Sequence, residues 1–367
     1  MNSTVNASSA AVCAPAKPDA VEEGMRIFIA VCLSIIITGS FLGNLLVCLA
    51  FKVNENLRTV SNYFILNLAI SDLITTVFVM PFDLDVIIQR RVWSHGSTMC
   101  EFFTSMYLIS APASILNLLA VSIDRYRLIS NPFAYERTTT PLRALVVIVA
   151  VWVYAIMMAL VPIMGWKDNV PNNCPDAGPF CYFQIPLDYS IMISVLHFVI
   201  PPLIMTIIYF KIYNIARYHV KRMHRHSVSS VTNARTSIAF SPGTLSPFGN
   251  NSEENGHRPS GKRRKSSFSA QPALQKNVKA AKSLAIIIAA FFACWYPLTL
   301  TSLVLNACGG LSGDCDVPPL YVFDVLITIG YLNSMLNPFL YALHNKEFKR
   351  TYKRIMRYVG IRWTNSE

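Results

Sequence analysis

Asp72 stands in the run NLAISDLITT, a carboxylate inside a stretch otherwise apolar enough to lie in hydrocarbon. An ionisable group there is expensive and needs partners, which marks it as a candidate for chemistry. Asn44, Ser114, Asn333 and Asn337 lie in other apolar runs. With Asp72 they would form either an oxygen-rich pocket for a small hard cation or water, or a hydrogen-bond network that packs the protein. Asp83, Asp85 and Asp324 sit near the ends of two apolar runs. They either line the mouth of a pocket and meet a cation, or are solvated at its rim. No grouping of His, Cys and acids has metal-ligand or nucleophile spacing, so the sequence gives no support to an enzyme.

The elements that must position these residues are membrane helices. Of 367 residues 53% are hydrophobic and 14% charged, too apolar for a water-soluble globule. Roughly 20 apolar residues span a bilayer. Seven stretches reach that length: about 26 to 51, 61 to 88, 98 to 123, 142 to 165, 188 to 213, 281 to 306 and 319 to 343. The expected fold is all-α, a seven-transmembrane helix bundle. Pro162, Pro201, Pro297 and Pro338 should kink four of the spans. After the seventh span, Phe348, Tyr352 and Ile355 recur at helical spacing among cations, as in a short amphipathic helix at the membrane surface.

Cations give the orientation. Lys211 to Lys282 holds fourteen basic residues against Glu253 and Glu254, and residues 344–367 hold seven more against Glu347 and Glu367. Both regions should be cytoplasmic, with the amino terminus outside. The expected organisation is an extracellular tail (1–25), spans one to five (26–213), a mostly disordered third cytoplasmic loop (214–275), spans six and seven (276–343), and the amphipathic helix with a short tail (344–367). The first apolar run starts near Ile27 and is long enough to be a span, so no cleavable signal is expected. The net charge of +12 then reports topology and lipid headgroups, and nucleic acid is not an expected partner.

Asn2 and Asn6 are sequons on the outer side. Ser266 and Ser267 follow KRRK, a pattern for basophilic kinases or a solvated basic run near lipid. Six of nine cysteines map outside, enough for three bridges. Cys100 with Cys181 would pin the loop before span five over the bundle, and Cys308 with Cys315 would close a short loop. Cys13 with Cys174 is the remainder.

GNLLV at 43 to 47, NLAISDL at 67 to 73, DRY at 124 to 126, Trp152, Pro201 with Tyr209, FFACWYP at 291 to 297 and NSMLNPFLY at 333 to 341 occur in order across all seven spans. As a set they resemble the rhodopsin-like G-protein-coupled receptors. SILNLLAVSIDRYRLISNPFAYERTTTP and GYLNSMLNPFLY are similar to the biogenic-amine branches, especially dopamine and adrenergic receptors. The resemblance implies a plasma-membrane receptor for a small molecule that signals to a heterotrimeric G protein, with arrestin and receptor kinases as further partners. It assigns coupling and activation to Asp124, Arg125, Tyr126, Phe133, Tyr209, Asn337, Pro338 and Tyr341, with Asp124 holding Arg125 at rest. Trp295 would lie under the ligand, above a packed layer of Ile115, Pro201 and Phe291. It makes Asp72, Ser114, Asn333 and Asn337 an allosteric sodium site, and implies no other cofactor. The dopamine-like neighbourhood leans toward a stimulatory G protein and cAMP.

Departures from that pattern fall at the ligand end. Amine receptors place aspartate where Tyr107 stands, two aromatics where Leu298 and Thr299 stand, and a tryptophan where Thr328 stands. Of the span-five serines Ser194 alone remains, with His197 nearby as either a ligand contact or a hydrogen-bond partner within the bundle. Phe183, two residues after Cys181, either reaches the ligand or packs its loop. The expected ligand set is therefore Tyr107, Asp83, Phe183, Ser194, His197, Trp295, Thr299 and Tyr331. The expected ligand is amine-like or related. The alternatives are a receptor for a nucleoside or lipid, and an orphan that signals without ligand or modulates other receptors. Asn277 replaces the acid that steadies the inner end of span six, which would raise basal activity.

Overall fold

The computed structural model describes residues 20–166, 173–174, 178–179, 181, 185–218, 285–305 and 318–358. Asn2, Asn6, Cys13, Phe183, the Cys174 side chain, Ser266, Ser267, Asn277, Cys308 and Cys315 lie outside the described residues. Among the described residues, seven helices are long and apolar enough to cross a membrane: Val21–Val53, Val60–Ile88, Gly96–Ser130, Pro141–Ile163, Leu187–Tyr218, Ala285–Leu305 and Tyr321–Leu343. They are spans one to seven here. Span three runs on to Ser130 and span five to Tyr218, beyond the ends that hydropathy marks, because backbone hydrogen bonding continues where side chains turn polar. Span one packs on spans two and seven, and span three on spans two and four.

Apolar and polar residues are distributed inside out relative to a soluble protein. On span four, Leu142, Val146, Val149, Val153 and Met157 form an exposed stripe at helical spacing, which only lipid can cover. Asn44, Asn67, Asp72, Asn117, Asn333 and Asn337 are all buried. Polar groups inside must then satisfy one another. Asn67 Nδ2 donates to Asn117 Oδ1 (2.7 Å), and the Trp152 indole donates to Asn67 Oδ1 (2.8 Å), joining spans two, three and four.

Prolines shape the spans. Pro81, absent from the expected kinks, lies in the first turn of Met80–Ile88 where span two restarts after a break at Val79. In span five the segment Ser194–Val199 is wound as a π-helix just before Pro201 and Pro202. Neither proline has an N–H for the carbonyl four residues back, and the wider turn absorbs the mismatch. The helix Lys346–Tyr358 follows span seven as expected. Its Phe348 and Tyr352 are buried, the Phe348 ring centroid 5.8 Å from Tyr341. Asn54 Nδ2 donates to the Thr351 hydroxyl (2.7 Å) and ties the helix to the turn after span one.

Two glycines let spans one and seven approach. A Cβ on Gly43 would stand 2.9 Å from Pro338 Cγ, whereas one on Gly39 would meet the Met335 side chain at 3.0 Å. A proline ring cannot swing away, and a methionine can. Gly43→Ala is therefore expected to destabilise the bundle by about 1 to 3 kcal/mol. Gly39→Ala should cost less. Unfolding midpoints of both variants in detergent check the order.

Candidate functional site

At the outer end, spans two, three, six and seven bring one carboxylate to three aromatic rings. Asp83 lies in the first turn of the segment in which span two restarts after Val79, eleven residues beyond Asp72. The Tyr331 hydroxyl donates to Asp83 Oδ2. Trp295 meets Tyr331 edge-on at 6.3 Å between centroids and Tyr107 at 6.1 Å. Gly330 permits this, since a Cβ there would come within 3.3 Å of the Trp295 ring. Of the three outer acids, two have basic partners. Asp85 Oδ2 is 2.9 Å from His95 Nε2, and Arg91 Nη2 donates to both Asp324 oxygens at 2.7 Å. Among the described residues the hydrogen-bond donor to Asp83 is a neutral phenol.

Arg91 reaches Asp324 from the turn after span two, where Arg90 and Arg91 have φ of 52° and 68°. That conformation costs an L-residue about 1 to 2 kcal/mol. The Cys100–Cys181 disulfide forms as expected, at the top of span three.

Three expected ligand residues are turned to helix packing. His197 is buried with its Nε2 3.0 Å from the Tyr154 hydroxyl. Ser194 is buried where the π-wound segment starts, and the Thr299 hydroxyl donates to the Trp295 carbonyl (3.0 Å). His197 is thus partnered by a neighbouring span and Thr299 by its own helix backbone.

In the middle, Asp72 Oδ1 accepts from the Ser334 hydroxyl (2.8 Å) and Oδ2 from Asn337 Nδ2 (2.9 Å). Ser334 was not among the expected partners, although it lies three residues before Asn337 and thus on the same face. Asn44 donates instead to the Ser40 and Ser334 carbonyls (2.9 Å each), and the Ser114 and Ser71 hydroxyls bond each other (3.1 Å). A small cavity remains, lined by Asp72, Thr75, Ser110, Ser114, Asn333 and Ser334 over Phe291 and Trp295. Asn44 Oδ1, Asn333 Oδ1 and Asn337 Oδ1 are buried without hydrogen-bond partners among the described residues. Surplus oxygen acceptors around a carboxylate suit a small hard cation or bound water.

At the inner end, Asp124 does not turn to Arg125. Its Oδ2 accepts from the Ser61 hydroxyl, and its Oδ1 from the Tyr135 hydroxyl at 2.8 Å. Consecutive helix residues point about 100° apart, so more distant hydroxyls satisfy the carboxylate better. Burial, and then the Asp124 charge, push the Tyr135 phenol above its ordinary pKa. Arg125 Nε and the Tyr341 hydroxyl are buried without hydrogen-bond partners among the described residues. Phe133 is 82% exposed on the short helix Pro132–Thr138, whose first turn is capped by Asn131 Oδ1 accepting from the Ala134 N–H (3.2 Å). Tyr209 packs against Ile129, Ile208 and Ile212, and the Lys211 ammonium lies 5.8 Å from the Tyr126 ring centroid. Beneath the outer rings, Ile115 and Phe291 are buried as the expected layer requires.

Comparison with known proteins accounts for the arrangement as a whole. The family described as 7 transmembrane receptor (rhodopsin family) matches residues 43–341. The chain is 31% identical to the histamine H2 receptor of Canis lupus familiaris, over 90% of this chain and 80% of that protein. It is 30% identical to the human adenosine receptor A2a, over 91% of this chain and 73% of that protein, and 31% identical to the mouse alpha-1D adrenergic receptor, over 92% and 58%. From the ordered motifs, the seven spans and these matches, the chain belongs to the rhodopsin family of seven-transmembrane G-protein-coupled receptors.

Proposed function

We propose that this receptor recognises a cationic small molecule at its outer end, with Asp83 of span two in place of the span-three aspartate of amine receptors. One observation carries the reading: Asp85 and Asp324 are paired with a histidine and an arginine, whereas Asp83 takes a hydrogen bond from the Tyr331 phenol, whose ring meets Trp295, which in turn meets Tyr107. A carboxylate beside stacked aromatic rings attracts an ammonium by charge and by the rings' quadrupoles. Tyr107 contributes a ring where an anchor would stand. The relatives' names divide: histamine and adrenergic receptors agree with a cationic ligand, and the adenosine receptor A2a stands for the nucleoside alternative.

The inner end supports coupling to a heterotrimeric G protein. Phe133 offers an exposed apolar side chain on the short helix after span three, and stimulatory coupling with cAMP output follows the dopamine-like neighbourhood. The amino terminus faces outward and the basic loop and tail face the cytoplasm, with arrestin and receptor kinases acting there. The middle site takes sodium, held by Asp72 with Ser114, Asn333 and Asn337, and by Ser334, whose hydroxyl already reaches the carboxylate. A cation bound there favours the resting arrangement to the extent that it binds that arrangement more tightly.

In a cAMP screen of amines, nucleosides and lipids, a cationic agonist should lose about ten- to a hundredfold in potency with Asp83→Asn at equal surface expression, the loss of one charge-assisted hydrogen bond. Unchanged potency removes the anchor, and agonism by nucleosides or lipids alone removes the ligand class. Phe133→Ala is expected to lower maximal cAMP severalfold while leaving agonist binding within about twofold. Asp72→Asn should abolish any decrease in agonist affinity produced by sodium over potassium. Retention of that decrease places the ion elsewhere.

A further inference from the structure

The turn that carries Arg91 is braced on both sides. The Arg91 N–H donates to the Val86 carbonyl (2.7 Å), and the Val92 N–H to that of Gln89 (3.2 Å). Trp93 is buried between Phe82 and Phe103, with ring centroids at 5.8 and 5.7 Å, and its indole donates to the Gly96 carbonyl (2.7 Å). His95 packs on Trp93 and meets Asp85. From this mount Arg91 crosses to span seven and forks onto Asp324, with 38% and 20% of the two side chains exposed. Among the described residues, the charged side chains set against Asp83 are these same two, Asp324 and Arg91. Their opposite charges offset each other where they face Asp83.

We infer that Arg91 is the charge-selectivity residue of the ligand site, a tethered cation that occupies Asp324 and leaves Asp83 as the single carboxylate open to a ligand. The site accordingly accepts a ligand with one cationic group and disfavours diamines, whose second ammonium finds its counter-charge taken. The left-handed backbone at Arg90 and Arg91 fits this role, since it directs the guanidinium across the mouth where a relaxed glycine ending would carry no side chain. An internal cation at fixed position competes at high effective concentration, which a diffusing ammonium cannot match. The inference rests on Asp83 being the ligand-facing carboxylate, and the test separates the two.

Tyr321 is half-buried on span seven one turn before Asp324, so Tyr321→Cys in the full-length receptor reports the local potential. Its reaction rates are measured with a trimethylammonium, a sulfonate and a neutral methyl methanethiosulfonate, subtracting labelling of the receptor without the added cysteine. Arg91→Gln should raise the cation-to-anion rate ratio about tenfold and leave the neutral rate within about twofold. Arg91→Lys should keep the ratio near that of the parent, and Asp324→Asn should lower it. Arg91→Gln combined with Asp324→Asn should restore it, because both charges of the pair are gone. An unchanged ratio in Arg91→Gln overturns the inference, and so does an equal rise with all three reagents, which would make Arg91 a steric plug. Asp83→Asn should lower the ratio. If it does not while Arg91→Gln still raises it, the Asp83 anchor fails and the selectivity role of Arg91 stands.

Discussion

Asp72 is a carboxylate in the middle of a bundle surrounded by hydrocarbon, and its oxygens are met because span seven presents Ser334 and Asn337 to span two. Nothing outside the bundle could serve, since lipid offers no hydrogen bonds and a bare buried charge is costly. Asn44 extends the tie to span one through the Ser334 carbonyl, and the Asn117–Asn67–Trp152 chain extends it to spans three and four. The outer cage inherits its geometry from this contact. Asp83 lies eleven residues beyond Asp72 and Tyr331 one turn above Ser334, so the pair that fixes the middle also brings Tyr331 to Asp83.

Satisfaction is incomplete along one line. Asn333 Oδ1, Asn337 Oδ1, the Tyr341 hydroxyl and Arg125 Nε run from the middle toward the inner end, all buried and without hydrogen-bond partners among the described residues. Buried polar atoms left unmet are unusual in a folded protein. Under the proposed function they are where a second arrangement of the bundle has hydrogen bonds to gain. Asp124 complements them, because its oxygens are committed to Ser61 and Tyr135 and Arg125 is left to turn elsewhere.

The two ends differ in how far they keep to the family's pattern. Arg125, Tyr209, Asn337 and Tyr341 match the resemblance in sequence, at the end where, under the proposed function, a partner shared across the family binds. The ligand end departs at Tyr107, Leu298, Thr299 and Thr328, and the geometry offers a compensating feature on another helix. Under the proposed function, moving a carboxylate from span three to span two keeps an ammonium site but changes the direction from which it is met.

Much of this was legible in the amino-acid sequence. The seven spans, the helix after them, the Cys100–Cys181 bridge and Asp72 as a group needing partners all follow from local rules: apolar run length, helical spacing and the cost of a charge in lipid. Asp83, Asp85 and Asp324 were readable as acids near the ends of their spans, with their partners left open. What the sequence could not decide was which of several equivalent groups meet. Ser334 rather than Asn44 bonds Asp72, Tyr135 rather than Arg125 bonds Asp124, and Arg91 takes Asp324 and leaves Asp83 to Tyr331. Those choices depend on helix rotation and on the left-handed turn at Arg90 and Arg91. Both are set by packing between residues far apart in the chain, and only the tertiary structure fixes them.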